Sequence, residues 1–549
     1  MQRTHSPAAD LATRPALDAD LATIHPPLAR AIAAHGLLVG VAADTLLRGG
    51  SPGIGVPVWI GILALTLTSL TWRDRRELPR ESVAWLTTAV LFACGLAWRD
   101  SDMLQAFDMI AAIGALGMAA ISLGNERAAL LAERFRDTVW AAAGVVRRLV
   151  TGFAPLVLTE LLSTHARSRW VSRTLPALRA ALIAGTLLVV FGSLLRDADP
   201  IFASLVALPQ FDAAVIISHG FTIGFFCWIA SGWTLSALGP DLRARRAPSN
   251  LPFGLSALDI TTALGTLNVL FAAFVLAQLG WFFGGEAFLH ARTGLPAAQY
   301  ARQGFFEMVW VVLLVVPLLV ATRAALHPGR ALERRHTALA LPLIALLGAI
   351  ILSAGMRMQL YVHYYGLTID RLYPMIFMGW LGFVLAWLAA TVLKGRGRTF
   401  IAGVAVSGLA VLAALNVAGP DVIVARFNIG RAAHAPSVAG IAPDLLHMAE
   451  LGGEAAFLAT QATLAPPADA EGTVRRAESD RQRCSAAKTL LWHWGPTSAS
   501  AVRRESDGAW RNWNAGEARA IRDVSAHSAE LRNVQHSACA AVRRADRRK

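Results

Sequence analysis

Eleven apolar stretches of membrane-spanning length lie between residues 28 and 417, and the connections between them alternate between arginine-rich and arginine-poor. A helix needs about 20 apolar residues to cross the hydrocarbon core. The segment must be helical there because lipid cannot satisfy exposed backbone N–H and C=O groups. We therefore predict an all-α integral membrane protein with about 11 transmembrane helices and a small C-terminal extramembrane region. The predicted spans are 28–47, 54–72, 82–98, 104–123, 178–195, 213–238, 259–283, 305–321, 338–356, 372–393 and 400–417.

The composition supports this fold class and limits the kinds of binding partner that we expect. With 55% hydrophobic residues, 16% charged residues and a mean hydropathy of +0.47, the chain of 549 residues is too apolar for a soluble protein. Its net charge of +14 comes from basic residues in short connections between apolar runs, where anionic lipid headgroups are the nearest partner. We expect membrane lipids as partners and no nucleic acid.

The arginine alternation also predicts an orientation. By the positive-inside rule, connections rich in lysine and arginine face the cytoplasm. The polar segment 1–27 then lies in the cytoplasm without a cleaved signal peptide, the C-terminus lies outside, and the bacterial inner membrane is the expected location. The basic connections carry Arg73/Arg75/Arg76/Arg80, Arg243/Arg245/Arg246, Arg323/Arg330/Arg334/Arg335 and Lys394/Arg396/Arg398, whereas the others carry a single Arg48, Arg99 or Arg196.

One further apolar stretch, 139–162, lies in a long connection and has Arg147 and Arg148 near its middle. Two adjacent cations at mid-membrane would cost about 5–7 kcal/mol on insertion scales. We predict an amphipathic helix on the inner membrane surface. In the alternative, the stretch inserts and every later connection changes side.

Beyond the last span the chain becomes polar. We expect a short helical outer region at 418–464, and then a linker and an Ala/Arg-rich tail at 465–549 that is partly disordered. Cys484 and Cys539 would both lie outside, where a disulfide is one alternative. From their sequence spacing alone we expect two unpaired thiols.

Polar residues concentrate at the predicted outer ends of the spans, together with all five tyrosines of the chain. One interpretation is an interfacial belt of tyrosines and snorkelling arginines. The other begins with Glu307, which lies just inside a span, where a carboxylate is costly unless it is paired or protonated. Arg302, Arg357 or Arg371 could pair with it and form a site for a headgroup, an ion or a partner. The complete candidate site is Glu307, Arg302, Arg357, Tyr361, His363, Arg371, Asp199, Asp421 and Arg426.

Other polar or small residues inside the spans are weaker evidence for a functional site. Asp44 and His219 are titratable groups inside spans and could relay protons, although such residues more often bond to a neighbouring helix. Gly220 and Gly224 form a small-xxx-small pair that usually indicates close helix packing. No stretch matches a catalytic, nucleotide-binding or metal motif, so we predict no metal, no cofactor and no catalytic residue.

Several motifs at the outer ends resemble a bacterial membrane family known as domain of unknown function 4173, and its relative 4153. The motifs are Phe191–Leu195 with Ala198–Phe202, Tyr300–Arg302 with Gly304–Glu307, Tyr365–Thr368 with Arg371–Tyr373, Asn416, Pro420–Asp421, Ala425–Ile429 and Trp510–Asn514. The resemblance implies a membrane topology from about residue 30 to 520, but no substrate or activity.

Three functions remain open. The first is a non-catalytic envelope sensor, assembly factor or scaffold that contacts lipid and an envelope protein. The second is a transporter of an ion or amphiphile, which the buried titratable groups favour. The third is an outer-face lipid-linked transferase. Such enzymes generally carry carboxylates in the first outer loop, but here that loop, Arg48–Gly53, has no acid, and Asp197 and Asp199 are the only substitutes.

Overall fold

A computed structural model of the chain describes residues 26–48, 52–124, 135–152, 213–239, 256–293, 305–326, 329–434, 444–466, 473–505 and 509–547, with single positions at 180, 184 and 187. Every secondary-structure element within these ranges is helical. The helices pack around three hydrophobic cores, two among the apolar helices and one in the C-terminal region. The predicted all-α membrane fold is thereby confirmed.

The first bundle surrounds a core that includes Val39, Leu67 and Trp233. Two indole N–H groups donate to backbone carbonyls across its helices, from Trp59 to Val39 at 3.1 Å and from Trp233 to Leu116 at 2.9 Å. Its helices are α1 (Pro26–Leu47), α2 (Gly55–Arg73), α3 (Arg80–Trp98), α4 (Asp102–Leu123), α5 (Phe135–Thr151) and α6 (Ala213–Leu238). The second bundle consists of α7 (Ala257–Thr293), α8 (Phe305–Ala324), α9 (Arg330–Tyr365), α10 (Ile369–Thr391) and α11 (Gly397–Ala418).

By length and composition, nine helices of the described part are able to cross a membrane. They correspond to nine of the eleven predicted spans, so the predicted number is approximate. The predicted span at 305–321 falls in α8, whose side chains are described only over Trp310–Arg323 among its apolar residues. The predicted span at 178–195 falls almost entirely outside the described residues. Helix α9 is longer than predicted, because it continues through the predicted outer motif to Tyr365.

The described part of the 139–162 stretch belongs to α5, which is too short to be counted among the nine helices. Arg148 is buried at 4% exposure, and its guanidinium donates to the carbonyl of Leu235 in α6 at 3.2 Å. This contact satisfies a cation that the sequence places in an apolar stretch. A location on the membrane surface remains a prediction.

Close packing between α1 and α6 depends on a glycine pair different from the predicted one. No atom of a described residue lies within 4 Å of a Cβ built at Gly220 or Gly224, so their packing role stays a prediction. Added Cβ atoms at Gly36 and Gly40 of α1 would instead collide with Ser231 and with the carbonyl of Ile223 in α6. The small-residue principle holds, but it acts on the opposite helix.

The C-terminal domain, residues 420–547, is helical nearly throughout its described part. Its helices are α12 (Pro420–His434), α13 (Leu445–Ala449), α14 (Ala456–Leu464), α15 (Thr473–Trp494), α16 (Ala499–Glu505), α17 (Ala515–Ala526) and α18 (Ser528–Asp546). The expected linker and partly disordered tail at 465–549 includes a long helical segment, α18. The tail helices pack through small residues such as Ala486, Ala487 and Ala538, which give the sequence little apolar periodicity.

A disulfide joins Cys484 of α15 to Cys539 of α18, with a Cα–Cα distance of 5.1 Å. The expectation of two unpaired thiols is therefore wrong. The sequence spacing of 55 residues could not show that the two helices pack side by side.

Since the domain covers one end of the membrane helices, we call that end the domain face. The arginine-rich connections around 74–79 and 395–396 lie at the opposite end.

Candidate functional site

Two groups of polar residues join the C-terminal domain to the membrane helices at the domain face. We call the first the acidic junction (Arg99, Asp100, Asp421 and Glu454) and the second the arginine junction (Tyr361, Tyr365, Arg371 and Arg431). Between them the hydrophobic core of the domain continues onto the ends of α9 and α10 through Val362 and Leu372. The domain and the membrane helices therefore share both apolar and polar contacts.

The acidic junction is centred on Arg99, in the three-residue connection between α3 and α4, which is only 7% exposed. Its Nη1 donates to Glu454 Oε2 at 2.9 Å. Its Nε and Nη2 donate to the carbonyls of Asn416 and Val417 at 2.6 and 3.0 Å. These carbonyls end helix α11, where the partial negative charge of the helix favours a cation. One guanidinium thus connects α3, α11 and the C-terminal domain.

Two aspartates bind glycine amides of the domain at the same place. Asp100 Oδ2 accepts from the Gly453 N–H at 2.9 Å, and Asp421 Oδ1 accepts from the Gly452 N–H at 3.2 Å. Burial raises the pKa of Asp100 to about 6, and it also raises the pKa values of Asp421 and Glu454. Asp421 Oδ2 and Glu454 Oε1 are buried and have no hydrogen-bond partner among the described residues. Arg99 pairs with Glu454 alone, and burial of the three carboxyl groups favours their protonated forms.

Asn514 fastens the distal part of the domain to the same connection. Its amide nitrogen donates to the carbonyls of Leu96 and Arg99 at 2.9 and 2.7 Å, while its oxygen caps α17 by accepting from the Glu517 N–H. Next to it, the Trp513 carbonyl accepts from the Ile54 N–H at 3.0 Å. The 510–514 motif therefore contacts two connections at the domain face.

The arginine junction is built on the C-terminal end of α9, where Gly366 turns the chain at a φ of +80°. Asn428 of α12 pairs with the backbone of Leu367 in both directions, accepting its N–H at 2.9 Å and donating to its carbonyl at 2.7 Å. Arg431 Nη1 donates to the carbonyls of His363 and Tyr364 at 3.0 and 3.4 Å. Both contacts join α12 to the end of α9.

Arg371 reaches the same turn from α10. Its Nη1 donates to the Gly366 carbonyl, and its guanidinium carbon lies 4.2 Å from the ring centroid of Tyr361 and 6.0 Å from that of Tyr365. The two tyrosines share one face of α9 with ring centroids 5.0 Å apart. The arginine is therefore held by a cation–π contact on an aromatic surface.

The predicted site residues divide among different places. Tyr361 and Arg371 meet at the arginine junction, and the His363 backbone accepts from Arg431 there. Asp421 belongs instead to the acidic junction, and Arg426 is exposed on α12. Arg357 is buried in α9. Glu307 lies in α8, but its side chain is outside the described part, as are Arg302 and Asp199, so the Glu307–arginine pairing stays a prediction.

Asp44 and His219 come together within the first bundle. His219 Nδ1 and Asp44 Oδ2 are 2.5 Å apart, and Arg48 donates to the other carboxylate oxygen. The sequence did not single out His35, which lies about 13 Å further along α1 at 1.5 Å per residue. The ring nitrogens of His35 bond to Thr66 at 2.7 Å and Thr234 at 2.8 Å. The bundle thus contains two separate polar clusters.

Sequence reasoning also missed Arg99, Asp100, Glu454 and Arg431 as site residues. A signal was present, because several motif residues behind the family resemblance contact the domain face. These residues are Gly366, Leu367, Arg371, Asn416, Asp421, Asn428, Trp513 and Asn514.

The comparisons with known proteins identify a family for the chain. The family model described as "Domain of unknown function (DUF4153)" matches residues 86–457, a range that begins in α3 and ends just beyond Glu454. No curated protein and no solved structure matches the chain. The match covers more than half of the sequence, and the chain therefore belongs to the DUF4153 family.

Proposed function

We propose that the chain is a non-catalytic protein of the bacterial inner membrane, a sensor, assembly factor or scaffold that presents its C-terminal domain outside the cytoplasm. The N-terminus would then lie in the cytoplasm, and the partners would be membrane lipids and an envelope protein. A relationship to the 4173 family is part of the same proposal and depends on the motif residues alone.

The disulfide supports the orientation. Disulfides persist mainly in oxidising compartments, and the Cys484–Cys539 bond belongs to the domain at the domain face. The opposite end of the membrane helices carries the arginine-rich connections, which face the cytoplasm by the positive-inside rule. These two independent features favour the same assignment of sides.

The observation that carries the function is the firm attachment of the domain to the membrane helices. Arg99, Asn428 and Asn514 each make buried bonds between the two parts, in addition to a shared apolar core. A domain held this way has a fixed position above the membrane. Its surface exposes Trp492 at 76%, a large aromatic side chain of the kind enriched in protein interfaces.

A photo-crosslinking amino acid at position 492, introduced in living cells, tests this proposal. We expect a discrete adduct with an envelope protein. The same amino acid at Val406, an exposed apolar position inside α11, is the matched control and should give no protein adduct. Absence of an adduct at position 492, together with a robust transport or enzymatic rate in reconstituted vesicles, would contradict the proposal.

A transporter is the second candidate, favoured by the Asp44–His219–Arg48 cluster and by the buried His35 in the same bundle. If it is correct, vesicles with the wild-type protein should show a proton-coupled flux that Asp44→Asn abolishes. Asp370→Asn, a change at an exposed carboxylate, is the control. Equal flux from wild-type and empty vesicles would eliminate this candidate.

A further inference from the structure

The arginine junction holds two positive charges without a matching negative one. Arg371 and Arg431 form no ion pair with any described carboxylate, and all their hydrogen bonds go to backbone carbonyls. Burial lowers the pKa of Arg431, and the nearby charge of Arg371 lowers it further. The junction is thus electrostatically incomplete.

Both guanidinium groups meet at one residue, Gly366. Arg371 donates to its carbonyl, and Arg431 Nη2 lies 3.0 Å from the position that a Cβ on Gly366 would occupy. Among the described residues, each group uses only its Nη1 in hydrogen bonds. The Nε of Arg431 is buried and has no partner there. The Nη2 of Arg431 and the Nε and Nη2 of Arg371 likewise make no hydrogen bond to a described residue.

Capping of α9 explains only part of this arrangement. The partial negative charge at a helix C-terminus is about half an elementary charge and favours one nearby cation. The buried backbone N–H and carbonyl of Leu367, just beyond the end of α9, are already paired with Asn428. A second guanidinium adds repulsion at the turn, and an anion bound between the two would offset it. Paired arginines with free donors match the oxygen geometry of phosphate.

The location fits such a ligand. Helix α9 has 36 residues and is about 54 Å long at 1.5 Å per residue, well beyond the hydrocarbon thickness of about 30 Å. Its last turn carries Tyr364 and Tyr365, which are 50% and 58% exposed. Tyrosine side chains lie preferentially at headgroup depth. The two arginines are therefore at the level where lipid phosphates and dissolved anions are both accessible.

We propose that Arg371 and Arg431 form a binding site for a phosphate-bearing anion, either a lipid headgroup or free phosphate, with Tyr361 and Tyr365 as its aromatic wall. The site is independent of whether the protein is a scaffold or a transporter. Arg371 supplies a guanidinium fixed by its ring contacts, and Arg431 supplies one fixed by the end of α9.

The test is a thermal unfolding titration of the purified full-length protein in nonionic detergent. The probes are inorganic phosphate, phosphatidylglycerol micelles and phosphatidylcholine micelles. A ligand that binds only the folded state raises Tm in a saturable way. We expect this for wild type with phosphatidylglycerol, with phosphate or with both. Arg371→Gln/Arg431→Gln should weaken the apparent affinity by about tenfold or more.

The matched control is Arg522→Gln/Arg532→Gln, which removes the same charge at exposed positions of the C-terminal domain. It should retain the wild-type affinity. A response to phosphatidylglycerol alone identifies a lipid headgroup, and a response to phosphate alone identifies a soluble anion. The proposal is overturned if neither probe gives a saturable shift in wild type, a result that needs no variant to fold. Equal affinities of the two double variants would overturn it as well.

Discussion

The acidic junction and the arginine junction connect the same two parts of the molecule with opposite charge balances. In the first, Arg99 pairs with Glu454 beside two further buried carboxyl groups and is almost completely enclosed. In the second, two arginines meet beside partly exposed tyrosines, with no carboxylate of the described residues paired to them. The charged groups of the first junction are buried, whereas the second has exposed tyrosines and arginine N–H groups that bond to no described residue. The difference indicates that one junction holds the domain and the other also binds an anion.

Removal of Arg99 should have the largest effect. Arg99→Gln leaves Glu454 buried, with its side chain only 3% exposed, without a cation. Loss of one partner of a buried pair costs about 3–5 kcal/mol. We expect the free energy of unfolding of the C-terminal domain, measured by denaturant titration in detergent, to fall by this amount. Arg99→Gln/Glu454→Gln should recover part of the loss, while Arg426→Gln should change it by less than about 0.5 kcal/mol. Equal losses in the single and double variants would argue against the pair.

At the arginine junction, Asn428 should matter more to stability than either arginine. Asn428→Ala leaves the buried N–H and carbonyl of Leu367 without partners, at a cost of about 1–3 kcal/mol for each group. The same unfolding measurement should detect the loss. Arg371→Gln should cost less, because its guanidinium is only partly buried and cation–π contacts contribute about 0.5–2 kcal/mol. A larger loss of stability from Arg371→Gln than from Asn428→Ala would mean that the arginines are primarily structural.

Gly452 tests how tightly the acidic junction is closed. A Cβ at this position would collide with the Asp100 carbonyl, and overpacking of this kind costs about 1–3 kcal/mol. Gly452→Ala should therefore lower the Tm of the domain. Gly430→Ala is the matched control, because no atom of a described residue lies within 4 Å of its Cβ position and alanine is favoured within a helix by about 0.5–1 kcal/mol. A Tm unchanged by Gly452→Ala would show that the junction opens readily.

The smallest expected effect is a pH dependence of domain docking. Asp100 should cause it, and it should therefore be confined to the acidic junction. Its pKa is raised from 3.8 to about 6, so the docked state binds a proton more tightly than the undocked state. Docking should be tightest below about pH 4, weaken as the pH rises to about 6 and level off above it. Asp100→Asn should flatten the fall in Tm over this range, whereas Asp370→Asn should not. A Tm that rises between pH 4 and 6 by the same amount in both variants would contradict this assignment.

The sequence was sufficient for the membrane helices because length and hydropathy are local properties that lipid enforces directly. It was insufficient for the junctions. Arg99 and Glu454 are 355 positions apart, and only the packed fold brings them to 2.9 Å. In the sequence, Arg99 indicates only that its connection is poor in arginine and therefore outside. Nothing near it in the chain identifies the carboxylate that pairs with it.

The C-terminal tail shows a second reason why the sequence alone did not predict the structure. Its helices pack through alanines such as Ala486, Ala487 and Ala520, which are fully buried but add little hydropathy. A polar, alanine-rich sequence therefore resembles a disordered segment until the disulfide and the neighbouring helices are known.

At the candidate site, Tyr361 and Arg371 could be predicted because both flank the end of one span. Arg431 lies 60 positions after Arg371 and offered no such local signal.

Hydrogen exchange at the two junctions gives the most direct test of their different roles. The Leu367 amide donates to Asn428 at the arginine junction, and the Gly452 and Gly453 amides donate to Asp421 and Asp100 at the acidic junction. Exchange should be measured by mass spectrometry with and without the anion that raises Tm. We predict slower exchange at Leu367 when the anion is present, with unchanged exchange at Gly452 and Gly453. Equal slowing at both junctions, or no slowing at Leu367, would contradict the division between a holding junction and a binding junction.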